Sequence, residues 1–415
     1  MTSNHFYDET EHSPVRKHDR FTGYWSQFKT NFDWPIFFFM ATLIIFGLVM
    51  VFSSTMFLPI NGGAADPFSA LWRQIAAVMA GLLLGVIAFV TPSRYYRNPV
   101  ILLLAMTVII LLLLYTRFFG QEAFGAKSWI FLFGFSFQPS ELTKVFAMLS
   151  IAWLSEYTSR EVRLTQEAFR KFPIPNLLVV SLIITLALIF LQPDLGMLLI
   201  IALSLGFFWL IQKEKQGRNL IAYVACIVLF GVFYAFSSYF STYLIQSGTH
   251  FLERLGIFVN PFADPSGVGY QLVNGYTAMS KGSWLGQGLG QGTMKYGQIP
   301  AINNDFILVN IIEELGFIGA IILLIIFLMF FMRLFRKAAL MVDPYRSKVI
   351  TGLALVLVIQ TATNIGGVLG IIPLTGVTLP FISSGGSSII ISMVGVFLIL
   401  KMIYIDNKEQ AIQEK

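Results

Sequence analysis

The sequence predicts an all-α integral membrane protein with ten transmembrane helices and a large extracellular loop between spans seven and eight. Three observations lead to this fold class. Of the 415 residues, 56% are hydrophobic and only 12% are charged, which is about half the charge of a typical soluble domain. Several uncharged runs exceed the roughly 18 apolar residues that mark a membrane-spanning helix. Loops rich in Lys and Arg alternate with loops that are poorer in them, as expected for a chain that crosses the membrane repeatedly.

The spans are separated by short polar or turn-forming segments. The predicted spans are 34–57, 70–91, 98–116, 141–157, 175–192, 195–212, 219–239, 306–335, 347–368 and 385–405. Residues 1–33 form a polar tail with neither the pattern of a cleavable signal peptide nor an apolar core. Residues 406–415 form a second polar tail. The membrane domain is therefore expected to cover 34–405.

The basic residues determine the predicted orientation. They concentrate in the N-terminal tail and in the segments after the even-numbered spans, whereas 58–69, 193–194 and 369–384 contain no Lys or Arg. Since cytoplasmic loops are enriched in these residues, both termini are expected in the cytoplasm, which requires an even number of spans. The longest outer segment is 240–305, and a loop of that length is more often functional than a plain connector.

Composition argues against several kinds of site. Cys226 is the only cysteine, so no intrachain disulfide is expected, and three of the four histidines lie in the N-terminal tail, so no zinc-type cluster is expected. The net charge of +6 and the pI near 9.2 would suit a nucleic-acid partner. The basic residues are spread over many short loops, however, so none is expected.

Acidic residues at or near membrane depth are the strongest functional signal, because they cost free energy there. Asp305 opens the stretch "NDFILVNIIEELGFIG" at the predicted water boundary, where a carboxylate can stay ionised beside apolar surface, as a general base must. N-capping of span eight is the alternative role for Asp305. Glu313 and Glu314 lie deeper and are expected to be hydrogen-bonded structural acids.

Three other motifs deserve a prediction. Glu141 and Lys144 lie three residues apart in "QPSELTK" and face one side of the start of span four, so an ion pair and a functional site are both open. Asp194 in the turn "QPDLG" is expected to cap span six. The glycines of "GSWLGQGLGQGT" (282–293) allow the backbone to approach a ligand or a neighbouring helix closely.

Six motifs, taken in order, resemble the SEDS family (shape, elongation, division and sporulation), which includes the FtsW and RodA groups. They are "FQPSELTK" (137–144), "QPDLG" (192–196), "NPFADPSGVGYQ" (260–271), "GLGQGT" (288–293), "NDFILVNIIEELGFIG" (304–319) and "GIIPLTGVTLPFISSGGSS" (370–388). The resemblance covers nearly the whole chain outside the tails. Its most specific parts are "EELGFIG" and the segment around "PLTGVTLPFIS".

The resemblance implies a ten-helix bundle and a peptidoglycan glycosyltransferase activity. Such an enzyme joins lipid II into glycan strands at the outer leaflet and releases undecaprenyl diphosphate. By position, the family's essential aspartate is Asp305, which is therefore the expected catalytic residue. The same matching implies functional positions at Lys144, Asp194 and Trp129, and these three, together with Glu141 beside Lys144, are the candidate substrate-binding residues.

The chain departs from the family pattern at several positions near these motifs. It reads "IPAINNDFIL" where "LPE..TDFIF" is common, "SSGGSS" where "SYGGSS" is common, and Ser128 where an arginine is common. The aspartate itself is retained. Span one ("LVMVFSS"), the lack of "NIGM" and the polar tail favour the FtsW group and thus the division septum of a bacterial plasma membrane, whereas "GLGQGT" leans towards the RodA group.

The expected reaction is an inverting displacement in which Asp305 accepts a proton from a sugar hydroxyl of lipid II or orients that acceptor. The diphosphate leaves without protonation, so no second catalytic acid is needed. Its charge could be met by Lys144, by Arg73 at the outer end of span two, or by a divalent cation, Mg²⁺ or Mn²⁺. The lipid tails are expected to enter between helices near Trp72 and Trp129.

The resemblance also implies partners. No second domain for crosslinking is apparent, so a class B penicillin-binding protein is expected to dock near spans eight and nine and the 240–305 loop, together with other division or elongation proteins. An elongation-type, RodA-like polymerase is the alternative within the family. Two other function classes stay open: a lipid II flippase or transporter, which would also place acids between helices, and a non-catalytic scaffold.

Overall fold

The computed structural model describes residues 27–56, 68–123, 126–132, 135–159, 173–212, 250–267, 269–300 and 302–413. Its helices are α1 (Trp34–Thr55), α2 (Ser69–Val90), α3 (Ser93–Tyr96), α4 (Pro99–Phe119), α5 (Pro139–Ser159), α6 (Ile174–Leu191), α7 (Leu195–Gln212), α8 (His250–Val259), α9 (Tyr270–Gly282), α10 (Ile307–Ala339), α11 (Pro344–Val368) and α12 (Gly386–Gln413). Its strands are β1 (Gln121–Ala123), β2 (Ala126–Leu132) and β3 (Phe135–Phe137), and a 3₁₀ turn covers Pro261–Ala263.

The prediction of a multi-pass helical membrane protein is confirmed in its coarse form. Seven of the described helices, α1, α2, α4, α6, α10, α11 and α12, are long and apolar enough to cross a membrane. Helix α7, with the apolar stretch Leu195–Ile211, and helix α5 lie at predicted spans six and four. Predicted span seven, 219–239, lies outside the described residues. The number ten and the side of each terminus therefore stay predictions.

The structure differs from the all-α prediction in the segment before α5. There β1, β2 and β3 form an antiparallel sheet in that order, with Gln121 opposite Trp129 and Ile130 opposite Phe137. The aromatic and β-branched residues of "SWIF" and "FSF" favour extended backbone, and very short connections allow hairpins. A small sheet thus joins α4 to α5, where the all-α prediction had no strand.

Helix α12 ends later than predicted span ten, whereas α1 begins at Trp34, as predicted. Helix α12 continues to Gln413, beyond the predicted end at 405, and its Asp406 is 1% exposed and accepts a hydrogen bond from Arg346 at 3.2 Å. At the start of α1, Asp33 accepts hydrogen bonds from Arg333 on α10 at 2.8 and 2.9 Å. Burial raises the pKa of Asp33, but the hydrogen bonds and charge of Arg333, the Ile36 N–H and the charge of Lys337 outweigh it and hold this pKa below its usual range.

The core of the bundle lies around α11 and α12. In their most apolar windows 83% and 78% of the residues are buried, against 22% in α2 and 28% in α4, whose other faces are left for lipid. Helix α12 packs against α2, α4 against α6, and α10 against both α9 and α11. The segments flanking α10 and α11 are thereby held at one end of the bundle.

Helix α10 is broken at Gly316, and the glycine-rich segment after α9 forms hydrogen bonds with backbone groups of α10 at the break. Gly316 has φ 72° and ψ 178°, a conformation that interrupts the helical hydrogen bonds. The freed carbonyls of Glu313 and Glu314 accept from the N–H groups of Gln287 and Gly288, both at 2.9 Å. The prediction that the glycines allow close approach to a neighbouring helix is confirmed.

Candidate active site

Asp305 lies two residues before the start of α10 and lines a cavity. The helix begins at Ile307, and its N-cap residue, Phe306, makes no side-chain cap. N-capping and catalysis both stay predictions for Asp305. The cavity has a volume of about 200 Å³. It is lined by Glu253, Ile257, Phe258, Gln271, Leu272, Asp305, Gly367, Ile372, Leu374 and Gly376.

The cavity combines apolar walls with a few polar groups. Glu253 comes from α8, Gln271 from α9 and Asp305 from the start of α10, so three segments converge on one space. Gln271 is held by a hydrogen bond from its Nε2 to the carbonyl of Pro300, at 2.7 Å. A cavity in which polar groups from several segments converge beside apolar side chains is a usual form of a ligand site. Sequence analysis missed Glu253, because α8 lies inside what was treated as a single loop.

The backbone of Asp305 is fixed by an asparagine from α11. Asn364 is 3% exposed, and its Nδ2 donates to the carbonyl of Asp305 at 2.8 Å and to that of Val377 at 2.7 Å. On the other side, the N–H of Ser384 donates to the carbonyl of Asn303 at 2.8 Å. Asp305 is therefore held between α11 and the segment that connects α11 to α12. Asn364 was not predicted, although a polar residue in an apolar span is itself a signal.

Glu141 and Lys144 form the ion pair that was one of the two predicted possibilities. Lys144 Nζ lies 2.6 Å from Glu141 Oε2, and both side chains are less than 5% exposed (3% and 4%). Lys144 Nζ also donates to Gln360 Oε1 at 2.7 Å, and Gln360 Nε2 donates to the carbonyl of Thr378 at 3.0 Å. Through Gln360, the pair is therefore connected by hydrogen bonds to the segment between α11 and α12.

Asp194 caps α7, as predicted. Its Oδ1 accepts from the N–H of Met197 at 3.3 Å, and its Oδ2 accepts from Gln138 Nε2 at 2.5 Å and from Ser140 Oγ at 3.1 Å. Burial raises the pKa of this carboxyl group, although these three hydrogen bonds oppose the rise. The motifs "QPDLG" and "QPSELTK" are therefore in direct contact.

Arg73 and Trp129 lie outside the cavity lining. Arg73 is exposed on α2, where its Nε donates to the carbonyl of Ser69 at 3.2 Å. Its neighbour Gln74 donates to the carbonyl of Ser383 at 3.0 Å, so this end of α2 meets the segment that also holds Asp305. Trp129 is partly buried on β2. Their roles in substrate binding stay predictions.

The two glutamates of α10 are structural acids, as predicted. Glu314 pairs with Lys295 at 2.7 Å, and both side chains are fully buried. Ser53 Oγ of α1 donates to both carboxylate oxygens of Glu314, at 2.8 and 2.6 Å. Glu313 accepts from the N–H of Thr293 at 2.7 Å. Lys295 was overlooked, since its sequence neighbours "GTMKYGQ" gave no sign of burial.

Few of the described acidic residues lie close enough together to be candidate metal ligands. Among the described residues, no group of three or more His, Cys, Asp or Glu side chains is placed to hold a metal ion. The cavity does bring two carboxylate-bearing residues, Asp305 and Glu253, into one lining. Two carboxylates suit Mg²⁺ when substrate phosphates complete its coordination.

Fold and site together define a class of protein: a helical membrane protein in which an aspartate before a broken helix borders a small cavity. The family model described as "Cell cycle protein", for FtsW, RodA and SpoVE, matches residues 33–408. The chain belongs to this family, the SEDS family.

Named relatives extend the comparison. The probable peptidoglycan glycosyltransferase FtsW of Trichlorobacter lovleyi is 32% identical over 372 residues, covering 90% of this chain and 93% of that protein. The FtsW of the same description from Bacillus subtilis is 33% identical over 389 residues, covering 92% and 93%. These names favour the FtsW group, in agreement with the sequence analysis.

Solved structures share the fold. A chain described under "Structural coordination of polymerization and crosslinking by a peptidoglycan synthase complex" matches with a TM-score of 0.66 at 26% identity, covering 91% of this chain and 98% of that one. The rod shape determining protein RodA of Thermus thermophilus matches with a TM-score of 0.58 at 25% identity, covering 91% and 97%. The chain therefore shares its fold with the rod shape determining protein RodA and with a chain of a peptidoglycan synthase complex.

Proposed function

We propose that this protein is a peptidoglycan glycosyltransferase that polymerises lipid II at the outer face of a bacterial plasma membrane, at the division septum. The observation that carries the proposal is Asp305, held by its backbone at a cavity of about 200 Å³ that is lined by both apolar and polar side chains. The description of the relatives as probable peptidoglycan glycosyltransferase FtsW supports both the reaction and the division role.

In this proposal Asp305 acts as the general base. A sugar hydroxyl of lipid II attacks the anomeric carbon of the growing chain, and its proton passes to the carboxylate of Asp305. The bond from that carbon to the diphosphate oxygen breaks, and undecaprenyl diphosphate leaves with the electron pair. Since the diphosphate is already a stable anion, it needs no proton from a second acid. The apolar walls reduce the water around the carboxylate and so strengthen its electrostatic interactions.

The charge of the leaving diphosphate is best met by a divalent cation. Lys144 is buried in its pair with Glu141, Arg73 lies on the exposed side of α2, and neither belongs to the described lining of the cavity. Asp305 and Glu253 would hold Mg²⁺ or Mn²⁺ together with diphosphate oxygens. When bound, the cation would stabilise negative charge on the leaving group.

Lys144 and Asp194 support the site by positioning it. Lys144 reaches the segment between α11 and α12 through Gln360, and Asp194 fixes the start of α7. A glycine at 196 is required there, because a Cβ would lie 2.6 Å from the carbonyl oxygen of Thr375. These contacts give both residues a role through packing, and any direct contact with lipid II remains a prediction.

The decisive experiment measures lipid II polymerisation by the purified protein with its cognate partner. Asp305→Asn keeps the shape of the side chain and removes the base, so glycan strands should be lost, as they should in Asp305→Ala. Glu409→Gln is the matched control, since it also neutralises a carboxylate, but on a side chain that is 55% exposed near the end of α12. Strands made at the wild-type rate by both Asp305 variants would refute the base assignment.

The same variants separate the alternative functions. A flippase would lose lipid II translocation in Asp305→Asn but keep polymerisation when lipid II is supplied to both leaflets. A scaffold would show unchanged polymerisation by the partner complex in every variant.

We further propose that a class B penicillin-binding protein is the partner and lipid II the substrate. The match to a chain of a peptidoglycan synthase complex supports a partner of this kind. Co-purification of the two proteins, followed by crosslinking from α10, α11 and the 240–305 segment, tests where the partner binds.

A further inference from the structure

The glycine-rich segment after α9 exposes large apolar side chains. Trp284 is 65% exposed, Leu285 80% and Leu289 53%. Fully burying a side chain of this size is worth roughly 1.5–3 kcal/mol, so leaving three of them in water is costly. No charged residue occurs between Ser283 and Thr293. The segment therefore has the composition of a surface that meets an apolar environment.

Hydrogen bonds fix the position of this segment along α10. The N–H groups of Phe317 and Ile318 donate to the carbonyls of Ser283 and Trp284, at 2.9 and 3.2 Å. The rings of Trp284 and Phe317 also meet edge to face, with centroids 6.1 Å apart. Trp284 and Leu285 consequently lie level with Phe317 and Ile318.

Phe317 and Ile318 lie at one end of the apolar part of α10. The helix has no charged residue from Phe317 to Met332, and Arg333 and Lys337 follow at its other end. At 1.5 Å per residue this stretch spans about 24 Å, close to the hydrocarbon thickness of a bilayer, roughly 30 Å. Trp284 and Leu285 therefore lie at the membrane boundary opposite Arg333.

The lipid-facing surface of α10 continues directly into the segment. Phe317 is 37% exposed, Ile318 43% and Ile322 54%, and the first two contact Trp284. Polar backbone at membrane depth must be satisfied internally. The break at Gly316 satisfies part of the segment's backbone, because N–H and carbonyl groups of residues 283–288 form hydrogen bonds with backbone groups of α10.

We propose that residues 283–289 form an interfacial anchor that inserts Trp284, Leu285 and Leu289 into the lipid bilayer, at the membrane surface opposite Arg333. Trp is enriched at that boundary because its ring is apolar while its N–H prefers the hydrated side. The anchor holds the break in α10 at a constant depth. It would thereby fix the distance from the membrane of the end of α10 that precedes the break, and of Asp305 before it. The proposal does not depend on which reaction Asp305 performs.

The test places a fluorescent label at one position in the full-length protein. Cys226→Ser removes the only cysteine, and Leu285→Cys or, in a second protein, Leu289→Cys then carries an NBD label. Ser266→Cys is the matched control, on the exposed polar turn before α9. Each protein is reconstituted in nanodiscs of phosphatidylethanolamine and phosphatidylglycerol, and its thermal midpoint is compared with that of the Cys226→Ser protein.

Quenching distinguishes the outcomes. Doxyl groups on the lipid chains should quench labels at 285 and 289 more than aqueous iodide does, with the reverse order at 266. If iodide quenches the label at 285 as strongly as the label at 266, the anchor does not exist. If neither quencher reaches 285 or 289, a second protein chain covers the segment and the lipid assignment is overturned.

Discussion

The buried pair of Lys295 and Glu314 offers the sharpest test of how the 240–305 segment is attached to α10. Lys295 Nζ lies 2.7 Å from Glu314 Oε1, and both side chains are completely buried. Lys295→Met preserves much of the apolar volume but removes the cation. Glu314 then keeps only neutral donors, chiefly Ser53 Oγ and the Gly290 N–H at 3.0 Å.

The expected cost follows from leaving a carboxylate buried without its counter-charge. Breaking a buried pair by removing one partner typically costs about 3–5 kcal/mol. Glu314→Gln in the same chain removes the charge while its amide oxygen can still accept from Ser53. The double variant Lys295→Met with Glu314→Gln should therefore recover most of the stability that Lys295→Met loses.

The assay is unfolding of the purified protein in one fixed lipid or detergent environment, measured for all four members of the cycle. Lys281→Met is the matched control, because Lys281 is exposed and donates only to Thr293 Oγ1, at 3.1 Å. Its effect should be within about 0.5 kcal/mol, as at most surface sites. If the two single changes simply add in the double variant, the two side chains are not coupled and the reasoning fails.

Three other predictions follow from single contacts. Gly316→Ala should destabilise the fold by about 1–3 kcal/mol, because φ is positive and a Cβ would collide with backbone of the glycine-rich segment; Gly206→Ala, with open space around its Cβ, should be neutral in the same melts. Asn364→Leu removes the hydrogen bonds to the carbonyls of Asp305 and Val377, at about 0.5–1.5 kcal/mol each, and should lower the polymerisation kcat by displacing Asp305; normal kcat with reduced stability would make Asn364 purely structural. The lowered pKa of Asp33 contributes stability that is present above its ordinary value of 3.8 and is lost as pH falls through the folded value. The melting midpoint is measured as the pH is lowered, for the wild-type protein and for Asp33→Asn. The variant should lack the part of the pH dependence that Asp33 contributes.

The spans and the individual roles of several acids were predictable from local sequence. Asp194 as a helix cap and the pair of Glu141 with Lys144 depend on residues three apart, so sequence spacing is enough to suggest them. The structural role of the glutamates on α10 followed from their depth, but their partner Lys295 did not. Its burial arises only when the glycine-rich segment folds back on the Gly316 break.

The residues that surround Asp305 could not be predicted from short stretches of sequence. Asp305 was a candidate because a carboxylate at the end of an apolar run is visible in one short stretch. Glu253 lies 52 positions earlier in the numbering (305 − 253), and Asn364 lies 59 residues later. Neither has a local pattern that points to Asp305.

By itself the sequence determined the membrane class, the places of the long helices and the family. The reason is that lipid requires each span to be apolar over about 20 consecutive residues, and such a run is visible in a single continuous stretch of sequence. Only the tertiary structure decided that Glu253 shares a cavity with Asp305, that Asn364 holds its backbone, and that Trp284 lies level with the end of an apolar helix. These arrangements depend on how distant segments pack, and packing selects partners by shape and hydrogen bonding across the bundle.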